Sequence, residues 1–206
     1  AATEVAPSGE RVTHPYLTYD NVLVHALCLA LERYAQGTAD APGARNFVDA
    51  AAEVEATIWQ HCTAEIDGLR VLAWSTDLAG EAAVYDDPEG SLALLPTLGF
   101  CDADDPVWRN TIELLRSERN PFWLGNRRYP GLASRKHPEW ASLAALCVDL
   151  LGPRRDAALE CLASLHLDGD IACGWYDPDT GEPVAERFHA GVAGLLAWTL
   201  WTALEG

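Results

Sequence analysis

The chain has 206 residues, 14 basic and 31 acidic, and carries a formal charge of −17 at pH 7. Such a charge repels nucleic-acid phosphates and anionic membranes, which excludes both as expected partners and leaves neutral small molecules. With 49% hydrophobic and 22% charged residues, the composition is that of a globular protein, and the length suits a single domain over residues 1–206.

Seven helices are predicted along the chain. Helices that are apolar on nearly every side, as expected when protein surrounds them, alternate with amphipathic helices that have one polar face. The apolar helices are predicted at 20–34, 91–98, 140–151 and 188–204. The amphipathic helices are predicted at 44–62, 107–116 and 154–165.

This alternation is typical of a ring of helical hairpins, in which inner helices touch protein and outer helices face water. The predicted fold class is therefore all-α, an α/α toroid of the six-hairpin type. A small β-hairpin is inserted where GLRVLAWST and EAAVY adjoin. An irregular helical bundle is the alternative. Seven helices make about half of such a barrel, so the N-terminal half is absent, a partner chain completes it, or the arc is covered in another way.

A ring of this kind has a geometric consequence for chemistry. The segments that lead into inner helices all lie at one end of the barrel. Four segments rich in polar and aromatic residues are therefore predicted to converge. They are residues 7–19, 85–90, 120–139 and 173–187.

The sequence predicts neither a metal nor an organic cofactor. Its six cysteines and six histidines show no metal-ligand spacing, and it has no phosphate loop or nucleotide fingerprint. No run is long and apolar enough to span a bilayer. Most cysteines fall on apolar helix faces, which favours reduced thiols and the cytoplasm. A trimmed secreted protein is the alternative.

Four motifs follow one another: YDDPEGSLALLPTLGFC, DDPVWRNTIELLRSERNPFWLG, GLASRKHPEW and GWYDPDTGEP. Together with PSGERVTHPYL at the front, this ordered set resembles the C-terminal half of glycoside hydrolase family 125, the exo-α-1,6-mannosidases. The resemblance covers nearly all of this chain but about half of a family member. It implies a six-hairpin barrel and an inverting, metal-independent hydrolysis of terminal α-linked mannose or a similar sugar.

Inversion uses two carboxyl groups, one that protonates the leaving oxygen and one that activates a water. The resemblance places the acid at Glu10; a solvated residue of the N-terminal tail is the other reading. It places Cys173 where the family carries its base, and a thiol does not replace a carboxylate in that role. Asp177 is the predicted base, with Asp170 and Glu186 as substitutes, although Asp177 also begins a good turn sequence.

The resemblance also implies a sugar-binding site. Two acidic positions match residues that hold sugar hydroxyls, and a His and a Trp match the pocket wall; two further tryptophans have rings that stack on a sugar face or fill a core. An acidic pair before a helix is also favoured by the helix dipole alone. The predicted binding residues are, in that order, Asp86 and Asp87, His137 and Trp140, and Trp123 and Trp175, together with Cys173.

The predicted function is a glycoside hydrolase-like activity on terminal α-mannoside-type sugars, with a carbohydrate or another neutral small molecule as partner. Two alternatives come from other classes. One is a catalytically impaired sugar-binding or scaffold half-barrel that needs a partner chain, either as a homodimer or with a second protein. The other is a biosynthetic enzyme that keeps the barrel cavity for a different small molecule.

Overall fold

The computed structural model describes residues 1–7, 9–37, 44–88, 90–167, 169 and 171–205. Helices dominate these ranges, and the strands are short. The helices are α1 (Thr18–Gln36), α2 (Ala44–His61), α3 (Pro106–Leu115), α4 (Leu143–Asp149), α5 (Arg155–Ser164) and α6 (Ala190–Glu205). The strands are β1 (Tyr16–Leu17), β2 (Thr63–Ile66), β3 (Leu69–Leu72), β4 (Ser75–Thr76), β5 (Ala82–Ala83), β6 (Ala141–Ser142), β7 (Trp175–Tyr176) and β8 (Pro183–Ala185). Among the described helices, none combines the length and the apolar character that crossing a membrane requires.

The chain forms two compact units. Unit 1 comprises Ala1–Val84 and Leu94–Thr111, and unit 2 comprises Tyr85–Ala93 and Ile112–Gly206. The boundary runs through helix α3, whose last four residues belong to unit 2.

Unit 1 is built on the packing of α1 against α2 beside two small antiparallel sheets. One sheet has the strand order β1-β4-β5, and the other is the hairpin β2-β3. The ring of Phe100 stacks on Trp59 with centroids 5.1 Å apart, and the edge of His25 meets the same ring at 5.7 Å. Because these apolar faces are removed from water, unit 1 has a core of its own.

Unit 2 has helices α4, α5 and α6 around one apolar cluster, with the antiparallel sheet β6-β7-β8 at its side. In that sheet Ser142 pairs with Trp175, and Trp175 pairs in turn with Ala185. Helix α4 is buried almost throughout, as predicted for an inner helix. The fully or nearly fully buried cluster consists of Tyr129, Ala141, Leu143, Leu146, Cys147, Leu150, Ala158, Cys161, Ala172, Cys173, Tyr176, Val192 and Ala203.

The helix predicted at 91–98 is reduced to one 3-10 turn, Leu92–Leu94. Pro96 has no N–H to donate and disfavours a helical conformation in the residue before it. Gly99 then takes a left-handed φ of 72°. The apolar composition of this stretch predicted burial correctly, but the proline prevents a regular helix.

The helix predicted at 140–151 begins later, at Leu143. Ala141 and Ser142 are drawn into strand pairing with β7 instead. The hydroxyl of Ser142 then accepts the N–H of Ala145 at 3.3 Å, so the helix starts after a side-chain cap. Tertiary pairing therefore overrides the apolar pattern at this end.

Helices α1 and α6 are not surrounded by protein, contrary to the prediction for apolar helices. On α1, Leu27 is 57% exposed and Tyr34 is 73% exposed; on α6, Trp201 is 65% exposed and Leu204 is 71% exposed. Their opposite faces are buried, through Val22 on α1 for example. Each helix therefore presents one apolar face to the surface of its own unit.

The predicted hairpin is present, and a second hairpin precedes it in the chain. The run EAAVY supplies β5, which pairs with β4 at the end of GLRVLAWST. The beginning of GLRVLAWST supplies β3, which pairs with β2. Asp67 and Gly68 form the tight connection between them, with φ values of 52° and 78°, the left-handed conformations that a two-residue hairpin turn requires.

Candidate functional site

Three of the four segments predicted to converge meet inside unit 2. Tyr85 of the first meets Phe122 of the second edge to face at 5.7 Å, and the guanidinium of Arg135 lies 5.9 Å above the Tyr85 ring. His137 of the second segment meets Trp175 of the third, with ring centroids 5.0 Å apart. The fourth segment, residues 7–19, belongs to unit 1.

An aromatic wall is formed by His137, Trp140 and Trp175. The imidazole stacks on Trp140 at 4.9 Å with 20° between the planes, and its other neighbour is Trp175. The backbone N–H of His137 donates to the hydroxyl of Ser134 at 3.0 Å, which fixes the loop. Flat faces of this kind pack against the C–H groups of a sugar ring.

The first member of the acidic pair, Asp86, is fully buried, and both of its oxygens are used within the protein. Oδ2 accepts the hydroxyl of Ser91 at 2.7 Å and Nη1 of Arg116 at 3.0 Å, while Oδ1 accepts the N–H of Leu92 at 2.9 Å. Asp86 therefore holds the loop in place, and this is the role of a positioning residue.

Arg116 connects that loop to helix α4. Its Nε and Nη2 donate to Asp149 at 3.0 and 2.8 Å, so one guanidinium bridges two buried carboxylates. Burial lowers the pKa of Arg116, but Asp149 and Asp86 more than reverse that effect, and the pKa lies above its ordinary value. The cation is thus permanently charged and fixes the segment that carries Asp87.

Asp87 follows directly and is 2% exposed. The next residue, Pro88, lines a cavity of about 220 Å³. At about 30 Å³ for each water molecule, this volume corresponds to roughly seven waters and to the scale of a single sugar ring. The residues that line it are Pro88, Ser142, Ala144, Gly174, Trp175, Glu186, His189 and Val192.

Glu186 supplies a carboxylate to this cavity. Its side chain is 56% exposed, and its Oε2 lies 3.5 Å from Nε2 of His189. Its backbone has a φ of 49°, which is uncommon for a residue with a side chain. The sequence indicated Glu186 only as a substitute base. Its left-handed backbone conformation and its contact with His189 could not be predicted from the sequence pattern.

The predicted base, Asp177, begins the turn that follows β7. Its Oδ1 accepts the N–H groups of Asp179 and Thr180 at 2.8 and 2.9 Å. The N–H groups of Thr180 and Asp179 lower the pKa of Asp177, so it is ionised at neutral pH. Both of these hydrogen bonds belong to the turn that the sequence also indicated. Asp170 lies outside the described residues.

Cys173, at the position that the resemblance assigns to the base, has no exposed surface. It belongs to the apolar cluster of unit 2, and burial raises the pKa of its thiol. A neutral, fully buried thiol presents neither a base nor a surface to a ligand. This geometry gives Cys173 a packing role, in contrast to the predicted binding role.

Trp123 is held by two cations. The guanidinium groups of Arg154 and Arg116 lie 5.0 and 5.7 Å from the centre of its ring. Such contacts stabilise by about 0.5–2 kcal/mol. Trp123 does not line the cavity that contains Glu186.

Glu10, the predicted acid, lies in unit 1 and is half-buried. Its carbonyl oxygen accepts the N–H of Ala6 at 2.8 Å, and Gly9 before it has a φ of 85°. The segment is therefore a folded turn and not a frayed tail.

Comparisons with known proteins agree with these features. The sequence profile of the family described as metal-independent alpha-mannosidase (GH125) matches residues 2–166. The Meiotically up-regulated gene 157 protein of Schizosaccharomyces pombe is 30% identical over 129 residues, which are 61% of this chain and 25% of that protein.

A solved structure has the same fold. It is a Streptococcus pneumoniae protein from a study of metal-independent alpha mannosidases, in a non-productive complex with alpha-1,6-mannobiose. The TM-score is 0.89 at 21% sequence identity, and the match covers 100% of this chain and 50% of that chain. The chain thus spans about half of the solved structure and a quarter of the yeast protein. Since the profile matches most of the sequence, the chain belongs to glycoside hydrolase family 125.

Proposed function

We propose that this chain binds and hydrolyses terminal α-mannoside-type sugars by an inverting, metal-independent reaction. One observation carries the proposal: in a member of family 125, Trp175 of the aromatic wall and an exposed carboxylate, Glu186, line the same cavity. An aromatic face packs against a sugar ring, and a carboxylate serves as one of the two carboxyl groups that inversion uses. The α/α toroid, of which residues 1–206 would form about half, is part of the same proposal.

In the proposed site, the sugar packs against the wall of His137, Trp140 and Trp175. The loop that Arg116 fixes presents Asp87 and Pro88 next to it. Glu10 remains the predicted acid, which protonates the leaving oxygen, and the base is a carboxylate of the segment 173–187, for which the sequence prediction was Asp177. An inverting reaction on an α-linked sugar releases the β-anomer first, because water enters from the face opposite the leaving group.

The test is mannose release from alpha-1,6-mannobiose and from an aryl α-mannoside by the full chain. We expect NMR to detect β-mannose before mutarotation. Replacing Glu10 with Gln should lower the rate by about 10²–10⁴-fold, the usual contribution of a general acid. Glu4→Gln is the matched control, since Glu4 lies exposed in the same segment and its replacement should leave the rate unchanged. Absence of mannose release by the unaltered chain would contradict the proposal.

A second function, a sugar-binding half-barrel that needs a partner chain, is favoured by the exposed apolar faces. Leu23, Leu27 and Leu31 form an exposed stripe on α1 of unit 1. On α6 of unit 2, Trp198 and Trp201 are exposed, and the helix has no charged residue from 190 to 204. Contiguous exposed apolar surface of this kind is typical of interaction sites.

Light scattering distinguishes this second function. The half-barrel function predicts a homodimer or a complex with another chain. Trp201→Glu should then shift the assembly towards monomer, because a buried, unpaired charge opposes association. The control is Thr202→Glu, which places the same charge on a neighbouring exposed residue of α6. If the unaltered chain is a stable monomer that still releases mannose, the half-barrel function is wrong.

A further inference from the structure

Glu186 occupies a strained position at the end of strand β8. Its φ of 49° lies in the left-handed region, which is unfavourable for a residue with a side chain. The strand pairing continues past it, because the N–H of Gly174 donates to the carbonyl of Glu186 at 2.9 Å. Pairing and backbone conformation together turn the Glu186 side chain towards the opposite strand.

Gly174 makes room for that side chain. A Cβ atom at position 174 would lie 2.2 Å from Oε2 of Glu186 and 2.9 Å from its Cβ, distances that non-bonded atoms do not adopt. The carboxylate of Glu186 therefore fills the space that a side chain at 174 would take. Position 174 borders the cavity, so the carboxylate reaches the site across the sheet.

His189 orients the carboxylate. Its Nδ1 accepts the N–H of Val192 at 3.1 Å and so caps helix α6. A neutral imidazole whose Nδ1 accepts a hydrogen bond carries its proton on Nε2. Nε2 is the atom that lies 3.5 Å from Oε2 of Glu186, so His189 directs a proton at one carboxylate oxygen and leaves the other for a ligand.

Glu186 is also the one carboxylate among the described residues that line this cavity. Both oxygens of Asp86 accept hydrogen bonds from Arg116, Ser91 and Leu92. Asp177 uses Oδ1 for its turn and does not line this cavity. A base must reach a water molecule, and the 56% exposure of its side chain gives Glu186 that access.

We propose that Glu186, positioned by His189 over Gly174, is the general base that activates the attacking water; this rests on the proposed function. The carboxylate takes one proton from water as the water oxygen forms a bond with the anomeric carbon. The bond from that carbon to the leaving oxygen breaks on the opposite face, and its electron pair stays on the leaving oxygen. A carboxylic acid, predicted to be Glu10, protonates that oxygen.

The experiment compares the full chain with Glu186→Gln and Glu186→Ala on an aryl α-mannoside and on alpha-1,6-mannobiose. We expect kcat to fall by about 10²–10⁴-fold with a small change in KM. Sodium azide should restore leaving-group release to Glu186→Ala and yield β-mannosyl azide, since azide attacks without losing a proton. Glu182→Ala is the matched control, because Glu182 is exposed in the same hairpin and outside this cavity.

His189→Asn tests the positioning residue. Asn retains a side-chain acceptor for the end of α6 but lacks the Nε2 proton, so we expect unchanged thermal stability, a lower kcat and a KM within a few-fold. An equal loss of stability and activity would indicate a purely structural role and would contradict this part of the inference.

The outcomes separate this inference from the proposed function. If the full chain releases mannose and both Glu186 variants do so at the same rate, Glu186 is not the base, although the function stands. If the variants lose activity and azide restores nothing, the base role is also wrong, because a lost base is bypassed by azide. If the full chain releases no mannose, both the function and the base role are overturned.

Discussion

Replacing Arg116 with Met should lower the free energy of unfolding by about 3–5 kcal/mol. The substitution removes the cation that, among the described residues, bridges Asp86 and Asp149, two carboxylates that are 0% and 6% exposed. Each carboxylate would stay buried without the positive charge of Arg116, or would have to bind a proton on folding. Urea unfolding followed by circular dichroism measures the loss.

The matched control is Arg127→Met. Arg127 also pairs with an aspartate, Asp179, at 2.8 Å, but the two side chains are 47% and 58% exposed. Water and salt screen such a pair, so its removal should cost at most about 1 kcal/mol. The same substitution at the same distance thus isolates the effect of burial. If Arg116→Met loses no more stability than Arg127→Met, the buried triad does not hold unit 2 together.

The sequence predicted those elements whose signal is local. Helix α2 was expected over 44–62 and is observed over Ala44–His61, because one apolar stripe repeated over four turns is a sufficient pattern. Strands β6 and β7 have two residues each, which is too short for any periodicity. They exist because residues 141–142 and 175–176 meet across the fold, and that meeting is not encoded in either dipeptide.

Burial of the apolar helices was predicted only in part. Helix α4 is enclosed by its own unit, yet α6 exposes Trp198 and Trp201 despite an equally apolar sequence. Composition predicts that such a face tends to be covered, since exposing it to water is unfavourable. It does not identify what covers the face, because the covering surface belongs to other residues or to another chain.

The candidate site shows the same division. The motif positions of Asp86 and His137 were predicted from the resemblance to family 125. The different roles of Asp86 and Asp87 depend on Arg116, which is 30 residues further along the chain than Asp86. Trp123 was expected to stack on a sugar ring, but its ring makes cation–π contacts with Arg116 and Arg154. Contacts between residues distant in sequence decide roles that residue type leaves open.

Gly174→Ala should reduce kcat by about 10²-fold, the effect of displacing a reacting group by about 1 Å. The new Cβ would overlap Oε2 and Cβ of Glu186, so the carboxylate must move away from the position that His189 supports. Crowding should also cost about 1–3 kcal/mol of stability. Steady-state kinetics on an aryl α-mannoside, together with urea unfolding, measures both effects.

Gly194→Ala is the control for glycine replacement as such. A Cβ at 194 meets no atom within 4 Å on the exposed face of α6, so the change should raise stability by about 1 kcal/mol through helix propensity and leave kcat unchanged. The double variant Gly174→Ala with Glu186→Ala completes the argument. If Gly174 acts through Glu186, the double variant should be no slower than Glu186→Ala alone, because the effects of two groups that act as one unit do not add. Losses that multiply would mean that Gly174 shapes the cavity independently of Glu186.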